Sequence, residues 1–417
     1  MHEPLSIGPL LRQLRQDAGR SQSEQAAVLS DRAARPVTRN EVSRWEAEAR
    51  LLTPYWQQHY AASFDVSVAD LGQAVAVART NRRRSRREKE RHEGSSVQRR
   101  EFIGAIAGLA VSLPSVGQAQ VGRRIGQDDI QQLLARTARL RRLDDYLGGT
   151  DTYRLYVTEL QATTSLVRDA TSTSATRSAC TAVLAEQAQL AGWAAFDAGM
   201  HAEAKHHYLT SYDAATEAKD PALVGNALAF LAYQQVTIDR PRVEMAMASY
   251  ATAGNGATPR VRALLLERMA WTHAVSGQVN ETERALSEAA EAVRAEGSSA
   301  EPDWVFWVDP DEIQIMAGRC WTELRRPLRA VPILEDVLSR YSDTHARDKA
   351  MYLTWLAHAY LDAGEVEQAA AVTRQAIQLA TGVGSVRPVA RISTVAARLR
   401  PHRRLPSVAT VFEAIRG

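Results

Sequence analysis

From about residue 128 onward, helix-length apolar periodicity runs almost without a break, and small residues punctuate it at regular places. Ile130, Leu133, Leu134, Leu140 and Leu143 give one apolar side to a helix over 128–147, Gly148-Gly149 is its expected stop, and a second helix follows over 151–170. Beyond Leu184 the small and aromatic positions recur around turn points at 199, 277, 325 and 364. One copy carries Gly192, Gly199, Ala204 and Tyr208, and another carries Ala357, Tyr360, Gly364, Val366, Ala369 and Ala376. Weaker copies place Gly277, Leu286 and Ala289, and Gly318, Trp321, Ala330 and Leu334, at equivalent offsets. The gap of 78 between the first two turn points leaves room for one more copy near 238, with Leu231, Ala232 and Met247. Paired helices approach closely only where side chains are short, and a large residue then fills the next gap. With few β-branched alternations, this pattern predicts an all-α chain.

These offsets resemble degenerate tetratricopeptide repeats, whose standard period is about 34 residues. The resemblance implies stacked helix pairs with a concave face lined by the first helix of each pair. Register taken from the turn points puts Glu186, Gln189, Trp193, Asn226, Tyr233, Glu267, Trp271, Arg319 and His358 on that face. Amides suit a peptide backbone, charges suit its ends, and aromatics suit its side chains, so a peptide, small-molecule or protein effector is expected. The same Trp193, Tyr233 and Trp271 also suit a core, and the region also reads as a non-repetitive domain of alanine-rich helices.

The N-terminal part carries a different signal. Thr38 is a candidate N-cap for Arg39 to Glu46, in which Val42 and Trp45 share one side while Arg39, Asn40, Ser43 and Arg44 share another. Arginine and asparagine are the residues that bridge guanine and adenine, and serine suits a phosphate. Upstream, Ile7, Leu10, Leu11 and Leu14 recur at helical spacing up to Gly19, and a second helix opens at Ser21-Gln22 with Ala26, Ala27 and Leu29 inward. Downstream, Thr53-Pro54 starts a fourth helix and Ser67 to Leu71 finishes a fifth. Residues 5–72 thus resemble an Xre/Cro-C1-type helix-turn-helix domain, on Leu14-Arg15, Ser21-Gln22 and Val42-Ser43-Arg44-Trp45-Glu46. One departure is the turn before the third helix, stretched over Ser30 to Pro36. The resemblance implies contact with double-stranded DNA by Gln22, Arg39, Asn40, Ser43 and Arg44.

Charge follows the same division. Residues 1–100 hold 18 Arg and Lys against 12 Asp and Glu, while the rest of the chain has a net excess of acid. A polyanion partner requires that asymmetry. Arg82, Arg83, Arg84, Arg86 and Arg87 stand in a basic run that suits a solvated linker and, beside such a domain, DNA backbone. Arg99-Arg100-Glu101-Phe102-Ile103 and the apolar stretch after it match a twin-arginine export signal in composition, but they begin deep in the chain and suit an interdomain helix better.

Cys180 and Cys320 make no disulfide framework, no apolar run is long enough to span a bilayer, and no signal peptide precedes the first helix, so a cytoplasmic protein is expected. The spacing of His201, His206 and His207 suits a solvated turn better than a metal site. Trp304, Phe306 and Trp307 form an aromatic loop suited to core packing or to ligand stacking. No nucleophile with a base and no phosphate loop is present, so neither catalysis nor a cofactor is expected. The expected layout is a helix-turn-helix domain over 1–75, a basic linker and apolar segment over 76–122, and a tetratricopeptide-like superhelix over 123–417. Together with the resemblance of this layout to Gram-positive peptide-pheromone receptors, it implies a homodimeric transcriptional regulator. The competing reading is a non-catalytic interaction scaffold or, further off, an exported helical-repeat protein.

Overall fold

The computed structural model describes residues 6–33, 37–46, 52–78, 124–297 and 299–416. They belong to two compact units, 1–103 and 104–417. Among the described residues every element is helical, and the one extended pairing is an isolated bridge between Arg124 and Thr171. The basic run Arg82 to Arg87 and the Arg99 to Ile103 motif lie outside the described residues, as does the side chain of Asn40.

The first unit contains α1 (Ile7–Asp17), α2 (Gln22–Ala33), α3 (Arg39–Glu46), α4 (Pro54–Phe64) and α5 (68–78). Two reciprocal caps fix its helix starts. The Glu24 amide donates to Ser21 Oγ at 3.2 Å while the Ser21 amide donates to the Glu24 carboxylate at 2.6 Å. Thr38 and Glu41 repeat the arrangement at the start of α3, at 3.3 and 2.9 Å. Ile7, Leu11, Ala26, Leu29, Val42, Trp45, Trp56 and Tyr60 form the core. The Trp45 ring lies 5.0 Å from Trp56 and edge-on to Tyr60 at 5.7 Å.

Three expectations need correcting. Ala27 is exposed rather than inward. The stretched turn is shorter than expected, because α2 runs to Ala33; Ser30 Oγ donates to the Ala26 carbonyl at 2.8 Å and also accepts the Val37 amide at 2.8 Å. Ser67 opens a helix instead of closing one, its Oγ accepting the Ala69 amide at 3.1 Å.

In the second unit α6 (Gln127–Leu143) and α7 (Gly149–Asp169) precede a series of helix pairs. The pairs are α8 (Ser174–Asp197) with α9 (His201–Ala218), α10 (Pro221–Ile238) with α11 (Val243–Ala253), and α12 (Pro259–Val275) with α13 (Val279–Arg294). After a loop with a short 3-10 turn at Asp303–Val305 come α14 (Pro310–Glu323) with α15 (Pro327–Arg340), α16 (Ala346–Ala363) with α17 (Val366–Ala380), and α18 (Arg387–Leu399) with α19 (Pro406–Arg416). The turns at Gly199, Gly277, Arg325 and Gly364 all adopt positive φ, at 81°, 75°, 54° and 84°, which ends one helix sharply enough for the next to fold back on it. Small residues mark the crossings. A Cβ on Gly192 would meet the Tyr208 ring at 2.5 Å, and one on Gly318 would meet Leu334 at 2.5 Å. In the copy near 238, Leu231 and Ala232 are buried but Met247 is exposed. The three histidines lie in α9 rather than a turn, with His207 buried against Tyr153.

The first helices stack on one another in order, α8 on α10, α10 on α12, α12 on α14, α14 on α16 and α16 on α18. The row then closes. The Thr150 amide donates to the Gly384 carbonyl at 3.0 Å, and the Val386 amide donates to the Asp197 carbonyl at 3.2 Å. Gly148 therefore does not stop a helix as expected; it caps the start of α7, against the turn that leads into α18. A Cβ there would sit 2.0 Å from the Gly384 oxygen, closer than any side chain tolerates.

Gly148→Ala is accordingly expected to lower stability by about 1–3 kcal/mol through overpacking, measured by urea denaturation of the full chain. Gly256, whose Cβ would meet nothing within 4 Å, is the control. Equal stability of the two alanine variants would contradict the closing contact.

Candidate functional site

The row of first helices surrounds a cavity of about 500 Å³ in the second unit, open to solvent on one side. Its wall takes residues from every first helix: Gln189 and Trp193 from α8, Asn226 and Tyr233 from α10, Arg268 from α12, Glu312 and Arg319 from α14, Arg347 and Tyr352 from α16, and Arg387 from α18. Trp304, Phe306 and Trp307 of the aromatic loop complete it, with Arg141, Asp144 and Asp145 from the end of α6 and the turn after it.

Of the residues assigned to the concave face, Glu186, Gln189, Trp193, Asn226, Tyr233 and Arg319 line this cavity. Glu267 and Trp271 are buried behind its wall. His358 belongs elsewhere. Its ring contacts Thr394 Oγ1 at 3.2 Å and Arg398 at 3.1 Å, so it faces α18 and not the cavity. Burial, with Arg391, Arg398 and Arg325 nearby, holds this imidazole neutral, its pKa lowered to about 3.

The amides expected to greet a peptide are already engaged. Asn226 Nδ2 donates to Gln189 Oε1 at 2.7 Å, and Gln189 Nε2 donates to the Leu223 carbonyl at 3.3 Å. Glu186 pairs with Arg141 at 2.5 Å, and Trp193 Nε1 donates to Asp144 at 3.0 Å. Arginines make up another part of the wall. Arg319 is only 3% exposed, and its Nη2 donates to the Tyr233 hydroxyl at 2.8 Å. Its guanidinium lies over Trp271 at 4.6 Å and Trp355 at 4.3 Å, while its Nε has no hydrogen-bond partner. Arg387 donates to the same Tyr233 hydroxyl at 3.1 Å, and Arg268 sits over the Tyr233 ring at 4.6 Å.

Burial opposes ionisation of Tyr233, but the charges of Arg319, Arg387 and Arg268 outweigh it and bring the phenol down to about 7. The carboxyls nearby move the other way. Glu267 is raised by burial, and neither of its oxygens accepts a hydrogen bond, although Arg268 Nε stands 3.4 Å away. Glu312 is raised by burial and then by Glu267, and it accepts the Tyr352 hydroxyl at 3.2 Å. Burial pushes Asp145 up to about 6. Arg268, Arg387 and Glu312 were absent from the sequence expectation; the signal for Arg268 is a charge set in the middle of the apolar run Leu264-Leu265-Leu266-Glu267-Arg268-Met269-Ala270-Trp271.

In the first unit, α3 turns Val42 and Trp45 inward and leaves Arg39 and Arg44 exposed, with Ser43 half-buried. Glu46, buried, anchors the end of α3. Arg15 reaches it through Nε at 2.6 Å and Nη2 at 3.0 Å, and Gln22 Nε2 reaches it at 3.1 Å. Burial favours the neutral acid, but these hydrogen bonds outweigh it and hold Glu46 below the usual carboxylate range. The Gln22 amide nitrogen is thereby committed to α3. No family model matches the chain, and no curated protein matches it significantly.

Tyr233 makes the cavity's electrostatics measurable. Between about pH 7 and 10 the folded chain holds it as phenolate while the unfolded chain keeps its proton. Relative to Tyr233→Phe, wild type should gain stability as pH rises through that window and lose the advantage as pH falls below it. Urea denaturation of both proteins at several pH values tests this; a stability difference independent of pH would contradict it.

Proposed function

We propose that the chain is a non-catalytic transcriptional regulator, acting as a homodimer, in which a helix-turn-helix first unit reads double-stranded DNA and a tetratricopeptide-like second unit binds an effector in its cavity. The observation that carries the DNA-reading half is the division of α3 into two faces. Its apolar side is locked by the Trp45, Trp56 and Tyr60 cluster and its end by the Glu46 to Arg15 pair, while Arg39 and Arg44 stand free of the core. A rigid short helix with exposed arginines is what base-edge contact in a major groove needs. The basic excess of residues 1–100, which lies in the run from Arg79 to Arg100, supports contact of that run with DNA backbone. For the effector half, support comes from a cavity of about 500 Å³ within the range of small-molecule sites, with buried polar groups converging on it.

The test begins with selection of binding sites from random double-stranded DNA by the full chain, followed by affinity measurement at two salt concentrations. Arg44→Ala should cost about 1–3 kcal/mol at the selected site if it makes a bidentate base contact, with little change on random DNA. Failure to enrich any sequence would overturn the DNA-reading half and favour an interaction scaffold. Equal losses on selected and random DNA would make Arg44 a phosphate contact.

A further inference from the structure

We propose that the cavity of the second unit is a receptor for an organic anion, a carboxylate or phosphate joined to a flat apolar body, with its charged group seated on Arg319, Arg387 and Arg268. The inference rests on the effector half of the function proposed above and is independent of DNA reading.

The first argument is charge. A guanidinium taken out of water costs several kcal/mol unless it is paired and its donors are satisfied. Arg319 is almost fully buried, yet its contacts are one phenol and two indole faces, and no carboxylate forms an ion pair with it among the described residues. Among the described residues Arg387 forms its one ion pair with Asp197, at 3.6 Å, and that carboxylate already accepts the Gly149 amide at 2.8 Å and the Ser385 hydroxyl at 2.8 Å. Arg268 forms its one ion pair among the described residues with Glu267, at 3.4 Å and without a hydrogen bond. Three guanidiniums therefore converge on one hydroxyl, while the carboxyls nearest them, Glu267 and Glu312, are pushed toward their neutral forms by burial and, for Glu312, by Glu267. The planar guanidinium forks match the paired oxygens of a carboxylate or phosphate. The ease with which Tyr233 ionises reports the same excess of cations from the side of the phenol.

Shape supplies the second argument. Trp193, Phe230 and Trp307 line the cavity with the arginines, so a flat apolar body has rings to stack on beside the charged seat. Closure at Gly384 shuts the row, and the Asn226 and Gln189 amides hold each other. Both features disfavour a long extended peptide, which needs an open groove and free amides.

Thermal shift and calorimetry on the full chain at fixed ionic strength, with benzoate, phenyl phosphate and the neutral benzamide, test the proposal. Saturable stabilisation by benzoate or phenyl phosphate, and none by benzamide, is expected; the tighter of the two anions identifies the preferred headgroup. Arg319→Met should weaken anion binding at least tenfold. Arg387→Gln, at the more accessible edge of the seat, serves the same purpose if the first variant does not fold. Benzamide binding as tightly as benzoate, no binding of either anion at tens of millimolar, or unchanged affinity in the folded variants would overturn the seat. Anion binding in a protein that selects no DNA sequence would leave the seat standing and overturn only the regulatory reading.

Discussion

Asp197 holds the second unit closed. It lies fully buried at the end of α8, where one carboxylate oxygen takes the Gly149 amide and the other takes the Ser385 hydroxyl, and Arg347 and Arg387 stand at 3.9 and 3.6 Å. One side chain thus joins the start of α7, the start of the stacked row and the turn that enters its last first helix. Arg347 extends the clasp to Asp144 at 2.8 Å and Asp348 at 3.0 Å. A buried carboxylate is unfavourable alone and is retained only where donors surround it. Here those donors come from segments far apart in the chain, so Asp197 is satisfied only when the row has closed.

Closure changes what the inner face can be. An open stack of helix pairs presents a groove to solvent, whereas a closed one has an interior, and charges in that interior lose the screening of water. Arg319, Arg387 and Arg268 act on Tyr233 strongly for that reason, and Glu312 and Glu267 resist ionisation for the same reason. The first unit uses the opposite arrangement. There Glu46, the one buried carboxylate among the described residues, is engaged by Arg15 and Gln22, and Arg39 and Arg44 of α3 face outward.

Local features of this fold were legible in the sequence because local chemistry fixes them. The turn points at 199, 277, 325 and 364 coincide with the positive-φ residues, and the capped starts at Ser21 and Thr38 lie where a hydroxyl is followed three residues later by a glutamate. Six of the nine residues assigned to the inner face line one cavity, since counting from a turn sets the register of a helix to within one face. His358 shows the limit of that counting: it lies on the side of α16 that meets α18, where Thr394 and Arg398 claim its ring. Closure was not legible at all. Thr150 and Gly384 are separated by 234 positions, and nothing at either one marks the other. The glycines were visible, but Gly148 reads equally as a helix stop and as room for a distant backbone.

Amide hydrogen exchange at the closing contacts is the most direct test of this account. The Thr150 and Val386 amides, bonded to Gly384 and Asp197, sit at a helix start and in a turn, where an open row would leave them exchanging rapidly. In a closed row their protection should approach that of the interior amides of α8 and α16. Rapid exchange at both, with those helices still protected, would mean that the row is open and that the first helices do not surround a common cavity.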